Sequence, residues 1–600
     1  MSNENDITLR KKYTDKEIIK RTFKYISPVK GKFILGIILI LLNVVFNLIT
    51  PRIIGAYMNA LDIENLYEGA LPAILMYCLY YFIVLLANMI FTYTETVIIQ
   101  KAGQTVIFQI RQEVFEKIEK FSHEQLNKTP VGRLVTRVTN DTNSLNELYT
   151  TVLVNILKYT LLLIGIIINM ILVNPIISLY MLLFLVAIII ITIVYRHFSH
   201  LAFQDERKQI SALNTFLSEN LSGMKITQIF NQEEKKTKQF DETNKKLIRA
   251  KRRVMLVFAV YRPIITFIYL SAIAVVFLVG FPMVKEGREF FGVTFNFGML
   301  ITYYNYTDSF FGPIQNIAEQ FDKLQAGIVA SERIFNILDM EPTVINDEEP
   351  IFIENFKGKI EFRNVYFAYE NEDWILKDVS FVINPKQTVA FVGATGSGKT
   401  TILSLIVRNY DIQKGQILID DIDIKKIDIN CLRQKIGQML QDVFIFSGTI
   451  LDNITLFDQT ISLDEVHQAI KYVNADQFIL KMKDGLNTEV SEKGSNFSAG
   501  QRQLISFSRT IVHHPQILIL DEATSNIDTE TEVLIQDSLE KMKNVGTMLI
   551  VAHRLSTIQH ADNIICLAKG KIIEQGTHIE LLKKKGYYYK LYLLQFENKE

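Results

Sequence analysis

Long apolar runs in the first half of the chain place the strongest limit on what it can fold into. An apolar run of roughly 20 residues can cross the hydrocarbon core of a bilayer as a helix, and about six such runs occur before residue 325 of the 600-residue chain. Buried helices of a soluble domain would account for one such run but not for six. The runs lie at residues 33–54, 71–92, 151–173, 175–195, 254–284 and 294–318. The sequence therefore predicts a membrane α-helical domain with six transmembrane helices.

The placement of basic residues predicts how this domain is oriented. The N-terminal segment and the connections 96–150 and 196–253 are rich in Lys and Arg, whereas residues 59–70 contain three acidic residues and neither Lys nor Arg. Cytoplasmic flanks of membrane helices carry an excess of Lys and Arg. We therefore expect the N-terminus and both long connections on the cytoplasmic side of a plasma membrane. The basic N-terminal segment lacks the pattern of a secretory signal peptide.

Helical periodicity continues through both long connections. Apolar residues recur at three-to-four spacing in "VIFQIRQEVFEKIEKF" and "NTFLSENLSGMKITQIF". This pattern predicts that helices two to five extend into the cytoplasm as two hairpins. The hairpins are expected to turn near residues 127–139 and 213–225.

The sixth run contains polar side chains at the expected membrane depth. They are Tyr303, Tyr304, Asn305, Tyr306 and Asp308. An ionisable group inside a membrane is costly unless it faces a polar cavity or a partner, which makes Asp308 a candidate functional residue. The tyrosines fit either a cavity lining or anchors at the membrane interface.

Composition changes after the sixth run. The stretch "MEPTVINDEEP" interrupts the helical pattern, and strand-like segments follow it. We therefore expect a transmembrane domain over residues 1–325, with an N-terminal elbow helix and two long intracellular loops, a linker over 326–355 and a nucleotide-binding α/β domain over 356–600.

The segment "TVAFVGATGSGKTTILSLI" has the order of strand, glycine-rich loop and helix that is typical of a phosphate-binding P-loop. Its glycines let backbone N–H groups approach the phosphates at a helix N-terminus. We expect Lys399 to reach the β- and γ-phosphates of ATP and Thr400 to give an oxygen to Mg²⁺. The expected nucleotide-binding residues of this loop are Gly393, Ala394, Thr395, Gly396, Ser397, Gly398, Lys399, Thr400 and Thr401.

Two acidic residues end a second apolar strand, "QILILDEATSNID". Asp521 is placed to hold Mg²⁺, and Glu522 is placed to orient or deprotonate the attacking water. The balance of 64 basic and 64 acidic residues argues against a nucleic-acid partner. Three scattered cysteines indicate neither a disulfide framework nor a zinc site.

In their order along the chain, these motifs resemble a half-transporter of the ATP-binding-cassette exporter family, over about residues 20 to 595. The resemblance implies a nucleotide-binding domain of the P-loop NTPase fold that uses ATP and Mg²⁺. It also implies that Tyr369 stacks on adenine, with Tyr366 disfavoured because it falls out of register, and that Gln441 links Mg²⁺ and water to the membrane domain. It assigns Asp528 to the loop that follows the catalytic acid and His553 to the γ-phosphate. The hairpin turns match the family's coupling helices.

The family's signature motif is altered here. The expected pattern is L-S-G-G-Q, whereas this chain has Phe497, Ser498, Ala499, Gly500 and Gln501. In the family, the signature of one chain caps the ATP held by the phosphate loop of another. A methyl group at Ala499 is expected to weaken that contribution, since a Cβ replaces bare backbone. A complete catalytic set beside an altered signature favours one chain of a bacterial heterodimeric multidrug exporter, with one degenerate ATP site.

Other interpretations stay open. They are a homodimer with two equal sites and an importer built on the exporter fold. A soluble ATPase of the same superfamily is disfavoured by the six apolar runs. The resemblance suggests hydrophobic or amphipathic substrates, such as drugs, lipids or peptides, without choosing among them.

Overall fold

The computed structural model describes residues 13–61, 70–370, 372–439, 443–521, 529–551 and 558–597. The chain divides into two compact units. The first comprises Met1–Glu119 and Val131–Met340, and the second comprises Lys120–Pro130 and Glu341–Glu600. A short segment between two long helices of the first unit thus belongs to the second unit.

Long helices make up most of the first unit. Thr14 begins the first of them with a capping box, in which its side chain accepts from the N–H of Glu17 and the Glu17 side chain accepts in return. Together with one short helix of the second unit, α4, the helices up to residue 340 are α1 (Asp15–Lys24), α2 (Lys30–Ala60), α3 (Ala70–Glu119), α4 (His123–Lys128), α5 (Val131–Thr136), α6 (Thr142–Glu147), α7 (Leu153–Val173), α8 (Pro175–Ser222), α9 (Met224–Ile229), α10 (Glu233–Lys285) and α11 (Phe297–Leu338).

Among the described residues, five helical segments are long and apolar enough to span a membrane. They are Ser27–Ala60, Ile74–Glu119, Val131–Val173, Pro175–Ser222 and Glu233–Lys285. The third runs through α5, α6 and α7 without interruption, with π-helical turns at Arg137–Asp141 and Leu148–Val152. These segments carry exposed Leu, Ile and Phe side chains in numbers that water would disfavour. An apolar membrane domain is therefore confirmed.

The predicted count of six membrane spans is not confirmed. The sixth run does form part of a long helix, α11, but that helix is not apolar enough to be counted among the five candidates. The reason lies on its open face, where Tyr304, Asn305, Asp308 and Ser309 replace the aliphatic side chains found on other helices. A hydropathy window averages this face with the apolar buried one.

The tyrosines of the sixth run separate into two groups. Tyr303 and Tyr306 are fully buried among the helices of the first unit. The Tyr303 hydroxyl lies 3.0 Å from Ser178 Oγ, and the Tyr306 hydroxyl donates to the Leu48 carbonyl at 2.7 Å. Buried tyrosines usually satisfy their hydroxyl groups in this way. These two side chains are therefore packing residues, and only Tyr304 and its polar neighbours lie on the open face.

Both hairpin turns differ from the predicted positions. The first break in the helical rods covers residues 120–130, ahead of the predicted 127–139, because Ser122 begins a new helix with a capping box and Pro130 follows its end. In the second hairpin, α8 continues to Ser222, beyond most of the predicted turn at 213–225. Helical periodicity alone does not register these breaks. The first depends on a single capping serine and a proline, and the second follows Gly223, the C-cap of α8.

The second unit is built around two sheets. One is six-stranded in the order β14-β13-β5-β12-β11-β8, and the other is four-stranded and antiparallel in the order β4-β3-β6-β7. A short pair, β9 with β10, accompanies them, and the remaining pair, β1 with β2, is a hairpin of the first unit. The strands are β1 (Glu289–Phe290), β2 (Val293–Thr294), β3 (Ile360–Ala368), β4 (Trp374–Ile383), β5 (Thr388–Val392), β6 (Lys414–Ile419), β7 (Ile422–Asp423), β8 (Ile436–Met439), β9 (Gly448–Thr449), β10 (Glu489–Val490), β11 (Ile517–Asp521), β12 (Thr547–Val551), β13 (Asn563–Ala568) and β14 (Lys571–Gly576).

Helices cover the six-stranded sheet and form a separate helical cluster. Every residue of β5 and β12 is buried, as expected for parallel strands that are covered on both faces. The helices are α12 (Lys399–Ile406), α13 (Ile429–Gln434), α14 (Ile450–Thr455), α15 (Leu463–Tyr472), α16 (Asp476–Ile479), α17 (Ala499–Val512), α18 (Thr529–Met542), α19 (His578–Lys584) and α20 (Tyr587–Glu597). One apolar core lies between the two sheets, and a second holds α14, α15 and α17 together.

Candidate nucleotide site

Four neighbouring strands of the larger sheet end at one edge. The strands β5, β12, β11 and β8 run parallel, so their carboxyl ends lie at the same side. Ligands of open α/β sheets bind outside this edge. The predicted phosphate loop follows β5, and Asp521 is the last residue of β11. The remaining predicted residues from these connections, Gln441, Glu522, Asp528 and His553, lie outside the described residues.

The phosphate loop adopts a backbone that glycine favours. Gly396 and Gly398 have positive φ values of 79° and 105°, a region that other residues seldom adopt. At Gly393, an added Cβ would lie 2.2 Å from the Leu567 carbonyl oxygen on the neighbouring strand β13. Gly398 is the N-cap of α12, so this loop leads directly into a helix N-terminus. That arrangement favours an anion.

Two polar side chains of the loop fit a bound triphosphate. Lys399 is buried, and its ammonium donates to the carbonyls of Gly393 at 2.7 Å and Ala394 at 3.2 Å, which places the charge across the loop. Ser397 Oγ is buried and has no hydrogen-bond partner among the described residues. A buried hydroxyl without a partner is costly, and a ligand oxygen would satisfy it. Ala394, Thr395 and Thr400 are exposed on the same loop.

An aromatic cleft of about 400 Å³ adjoins the start of α12. Tyr369 lines it together with Thr400 and Tyr410. The Tyr369 hydroxyl lies 3.1 Å from Thr401 Oγ1, and the Tyr369 ring packs edge-on against Tyr410 with their centroids 5.1 Å apart. Burial raises the pKa of Tyr369, so its hydroxyl is a neutral hydrogen-bonding group at physiological pH. The cleft can hold a planar base beside the phosphate loop.

Tyr410 and α4 were missed by the sequence analysis as parts of this site. The α4 side chain of Asn127 donates to the Tyr410 hydroxyl at 3.1 Å, and the His123 ring lies edge-on to Tyr410 at 5.9 Å. On the same segment, Gln125 donates to the Glu341 carbonyl at 2.8 Å. The capping box at Ser122 signals a short helix in the sequence, but nothing in the sequence indicates what that helix contacts.

The predicted signature residues begin α17. Ser498 is its N-cap, and its hydroxyl accepts from the N–H of Gln501 at 3.2 Å while Gln501 Oε1 accepts from the N–H of Ser498 at 3.0 Å. Ala499 is the first helical residue and half-buried, and Gly500 is buried behind it. The alanine methyl therefore causes no strain in this chain, since alanine suits a helical position.

Two family models match this chain, one over its apolar helices and one over the region with the phosphate loop. Residues 33–314 match the family of the ABC transporter transmembrane region, and residues 376–525 match the ABC transporter family, whose domain binds ATP. A membrane region and an ATP-binding region therefore occur together in one polypeptide. The second match covers the phosphate loop, Asp521 and the signature residues.

Relatives over the full length point to the same family. An ABC transporter ATP-binding protein, exp8 of Streptococcus pneumoniae, is 35% identical over 96% of this chain and 97% of its own length. The ATP-dependent lipid A-core flippase of Syntrophus aciditrophicus is 34% identical over 84% of this chain and 83% of its own length. The structure of a bacterial Atm1-family ABC exporter with ATP bound superposes with a TM-score of 0.75 at 25% identity, over 94% of this chain and 98% of that one. This chain thus belongs to the ABC transporters, as a multi-pass membrane protein of the exporter type whose ATP-binding domain drives transport.

Proposed function

We propose that the protein exports hydrophobic or amphipathic compounds across the bacterial plasma membrane by alternating access, as one half of a heterodimer. The observation that carries this proposal is the joining of apolar membrane helices to a phosphate loop in one chain. The similarity to a lipid A-core flippase supports an amphipathic substrate. The lipid bilayer is then the route by which such a substrate reaches the protein.

In this proposal α11 is the sixth membrane span and the N-terminus is cytoplasmic. Support comes from the short β1–β2 hairpin that joins α10 to α11, which allows two antiparallel neighbours. The acidic connection between the first two apolar runs and the basic later connections favour this orientation. The ATP-binding unit then lies in the cytoplasm, where ATP is available.

We assign the ATP site to the carboxyl edge of the larger sheet. Lys399 and the loop from Gly393 to Thr401 would hold the phosphates, and Tyr369 would stack on the adenine. Thr400, Asp521 and Gln441 have the oxygen donors that Mg²⁺ prefers, and a bound Mg²⁺ would neutralise charge on the phosphates. Glu522 would activate the attacking water, and His553 and Asp528 follow neighbouring strands in the sequence.

The proposed partner is a second half-transporter. Its signature helix would complete the ATP site of this chain, while Ser498, Ala499, Gly500 and Gln501 would complete the site of the partner. The capping box at Ser498 stabilises the start of this helix without a ligand. A homodimer with two equal sites is the competing arrangement.

An exposed apolar patch on the second hairpin also supports a partner. Around α9, five large apolar side chains are between 40% and 75% exposed: Leu221, Met224, Ile226, Ile229 and Phe230. The surrounding connection is rich in charge, so these residues do not lie in lipid in the proposed topology. Contiguous apolar groups on a soluble surface mark an interaction site.

Replacing Glu522 with Gln tests this proposal. We expect ATP binding to persist and ATP turnover to fall by at least about 100-fold, because the substitution removes the base but keeps the shape of the side chain. ATPase activity is measured on the chain alone and on the chain co-purified with the half-transporter encoded beside it. Near-normal turnover by Glu522→Gln would refute the assignment of the catalytic acid.

The same measurement distinguishes the two assemblies. Activity that requires the pair, and that is lost with Glu522→Gln, would support one catalytic and one slow site. Robust activity of the single chain would instead indicate a homodimer. Transport of a fluorescent amphipathic dye into inside-out vesicles decides between export and import, since an exporter accumulates the dye inside such vesicles.

A further inference from the structure

We propose that Asp308, with Tyr269 and Tyr304, forms a binding site for hydrophobic organic cations within the membrane domain. This inference rests on the proposed transport function and deepens it by naming the charge of the substrate. Asp308 lies on the open face of α11, and Tyr269 reaches it from α10. Asp308 is also the only acidic residue in the six apolar runs of the sequence.

The open face of α11 is polar. Its exposed or half-buried residues include Tyr304, Asn305, Asp308, Ser309, Gln315 and Asn316. Within residues 175–194 of α8, the exposed residues other than Tyr180 are instead aliphatic, as a face toward lipid requires; they include Leu179, Leu183, Val186, Ile190, Ile193 and Val194. Polar side chains at membrane depth face a water-filled cavity or a partner rather than lipid. The contrast places the open face of α11 on the substrate side of the domain.

A hydrogen bond from α10 holds the Asp308 side chain in place. The Tyr269 hydroxyl donates to Asp308 Oδ1 at 2.7 Å, and among the described residues no basic side chain forms an ion pair with Asp308. A fixed carboxylate without a basic partner attracts a cation from the cavity.

Other ionisable groups in the same domain are arranged differently. Glu95, which is buried, lies 3.7 Å from the Lys158 ammonium, so its charge is compensated within the protein. Arg262 precedes Tyr269 by seven residues on α10, which corresponds to roughly 10 Å along the helix toward the predicted cytoplasmic end. A long arginine side chain near a membrane boundary can extend to water. Arg52, the remaining basic residue of the six runs, interacts with the Tyr306 hydroxyl rather than with Asp308.

Further aromatic rings lie near the Tyr269–Asp308 contact. The Tyr269 and Phe311 rings meet edge-on with centroids 5.3 Å apart, and the Tyr304 and Phe277 rings are 5.8 Å apart. Aromatic faces attract organic cations, and more strongly where water is excluded. A carboxylate with several such rings recognises a delocalised or quaternary cation with an apolar body. A neutral lipid or an anion would not gain from the carboxylate.

Two ions of the same shape and opposite charge test the inference. Tetraphenylphosphonium and tetraphenylborate are applied to the assembled transporter in lipid nanodiscs, with empty nanodiscs correcting for partition into lipid. Equilibrium dialysis gives a Kd for each ion without ATP. The wild type should bind the phosphonium ion more tightly than the borate ion. Asp308→Asn should weaken phosphonium binding by about tenfold or more and leave borate binding unchanged or stronger.

Matched variants distinguish a loss of the Asp308 site from a general effect of removing a charge on α11. Glu319→Gln makes the same carboxylate-to-amide change on the exposed face of α11, 11 residues away, and should change phosphonium binding by less than about twofold. Tyr269→Phe should weaken it by about threefold, because it removes one hydrogen bond and keeps the ring. Asp308→Glu should retain the preference for the cation. Binding of a fluorescent ATP analogue checks that each variant is folded.

Three results would overturn the inference: equal binding of both ions by the wild type, unchanged phosphonium binding by Asp308→Asn, or an equal loss in Glu319→Gln. Failure of the proposed function would look different. It would appear as normal turnover in Glu522→Gln or as the absence of ATP-dependent dye transport, whatever the two ions do. If Glu522→Gln arrests turnover while Asp308→Asn binds the phosphonium ion normally, only the cation site is wrong.

Discussion

Two helix N-termini in the second unit, at α12 and at α17, are both predicted to bind phosphate but are built differently. The loop before α12 has positive φ values at Gly396 and Gly398, a buried Ser397 hydroxyl without a partner among the described residues, and an inward Lys399. The start of α17 has no positive φ between residues 497 and 501, and its capping box satisfies its own first N–H groups.

The difference shows which of the two termini is arranged to hold a ligand within its own chain. The first terminus keeps a buried hydroxyl without a partner among the described residues, which a ligand oxygen would satisfy. At the second terminus, the capping box between Ser498 and Gln501 already satisfies the first N–H groups. These hydrogen bonds would have to be exchanged for contacts with a ligand. The phosphate loop is therefore specialised for binding within its own chain, whereas the signature helix is a stable surface on which a site is completed from outside.

The largest expected effect concerns the phosphate loop. Gly393→Ala should destabilise the protein by about 3 kcal/mol and abolish measurable ATP binding, because the new Cβ would meet the Leu567 carbonyl oxygen at 2.2 Å. Gly396→Ala is the matched control: its Cβ would have no neighbour within 4 Å, and only the left-handed backbone costs about 1 kcal/mol. Thermal unfolding and titration of a fluorescent ATP analogue measure both. Equal losses of stability and ATP binding in the two variants would contradict this prediction, because the close contact at Gly393 would then have no effect of its own.

The contrast also explains what the sequence could predict. The phosphate loop is a local pattern in which glycine spacing, a strand and a helix are read together, so its geometry could be anticipated. The strands around Asp521 were predictable for the same reason. The contact of Asn127 with Tyr410 could not be anticipated, because 283 residues separate the two and neither belongs to a local pattern.

The sixth membrane span shows a different limit. The run at 294–318 was predicted as a span from its apolar residues, yet α11 buries Tyr303, Tyr306 and Phe310 and presents Asp308 outward. The sequence shows which residues of this run are polar and which are apolar. It does not show which of them are buried, because that depends on how α11 packs against α2, α7 and α10. The first hairpin turn was displaced for a simpler reason, since one capping serine and one proline outweighed the helical period around them.

A smaller effect is expected in the cleft beside α12. Tyr369→Ala should weaken ATP binding by about tenfold, the scale of an aromatic ring stacked on a base. Tyr369→Phe should weaken it by less than about threefold, because it loses only the contact with Thr401 Oγ1. Tyr366→Ala is a control, since that ring packs on Trp374 at 5.7 Å. Equal losses in the Phe and Ala variants would assign the effect to the hydroxyl rather than to stacking.

The smallest effect is expected at Ala499, and it bears most directly on the comparison. In a heterodimer whose partner lacks a working catalytic acid, Ala499→Gly alters only the slow site, so the ATPase activity of the pair should change by less than about twofold. The helix should lose a few tenths of a kcal/mol, because glycine is a poorer helix former than alanine. In a homodimer the same substitution would alter both active sites, and a closer backbone approach to the γ-phosphate should raise activity several-fold.

The Glu522→Gln background supplies the control for Ala499→Gly: any turnover that Ala499→Gly adds there must come from a site that does not use Glu522. A gain in that background would contradict the slow-site assignment, because it would mean that the partner has a catalytic acid and that the alanine methyl alone limits it.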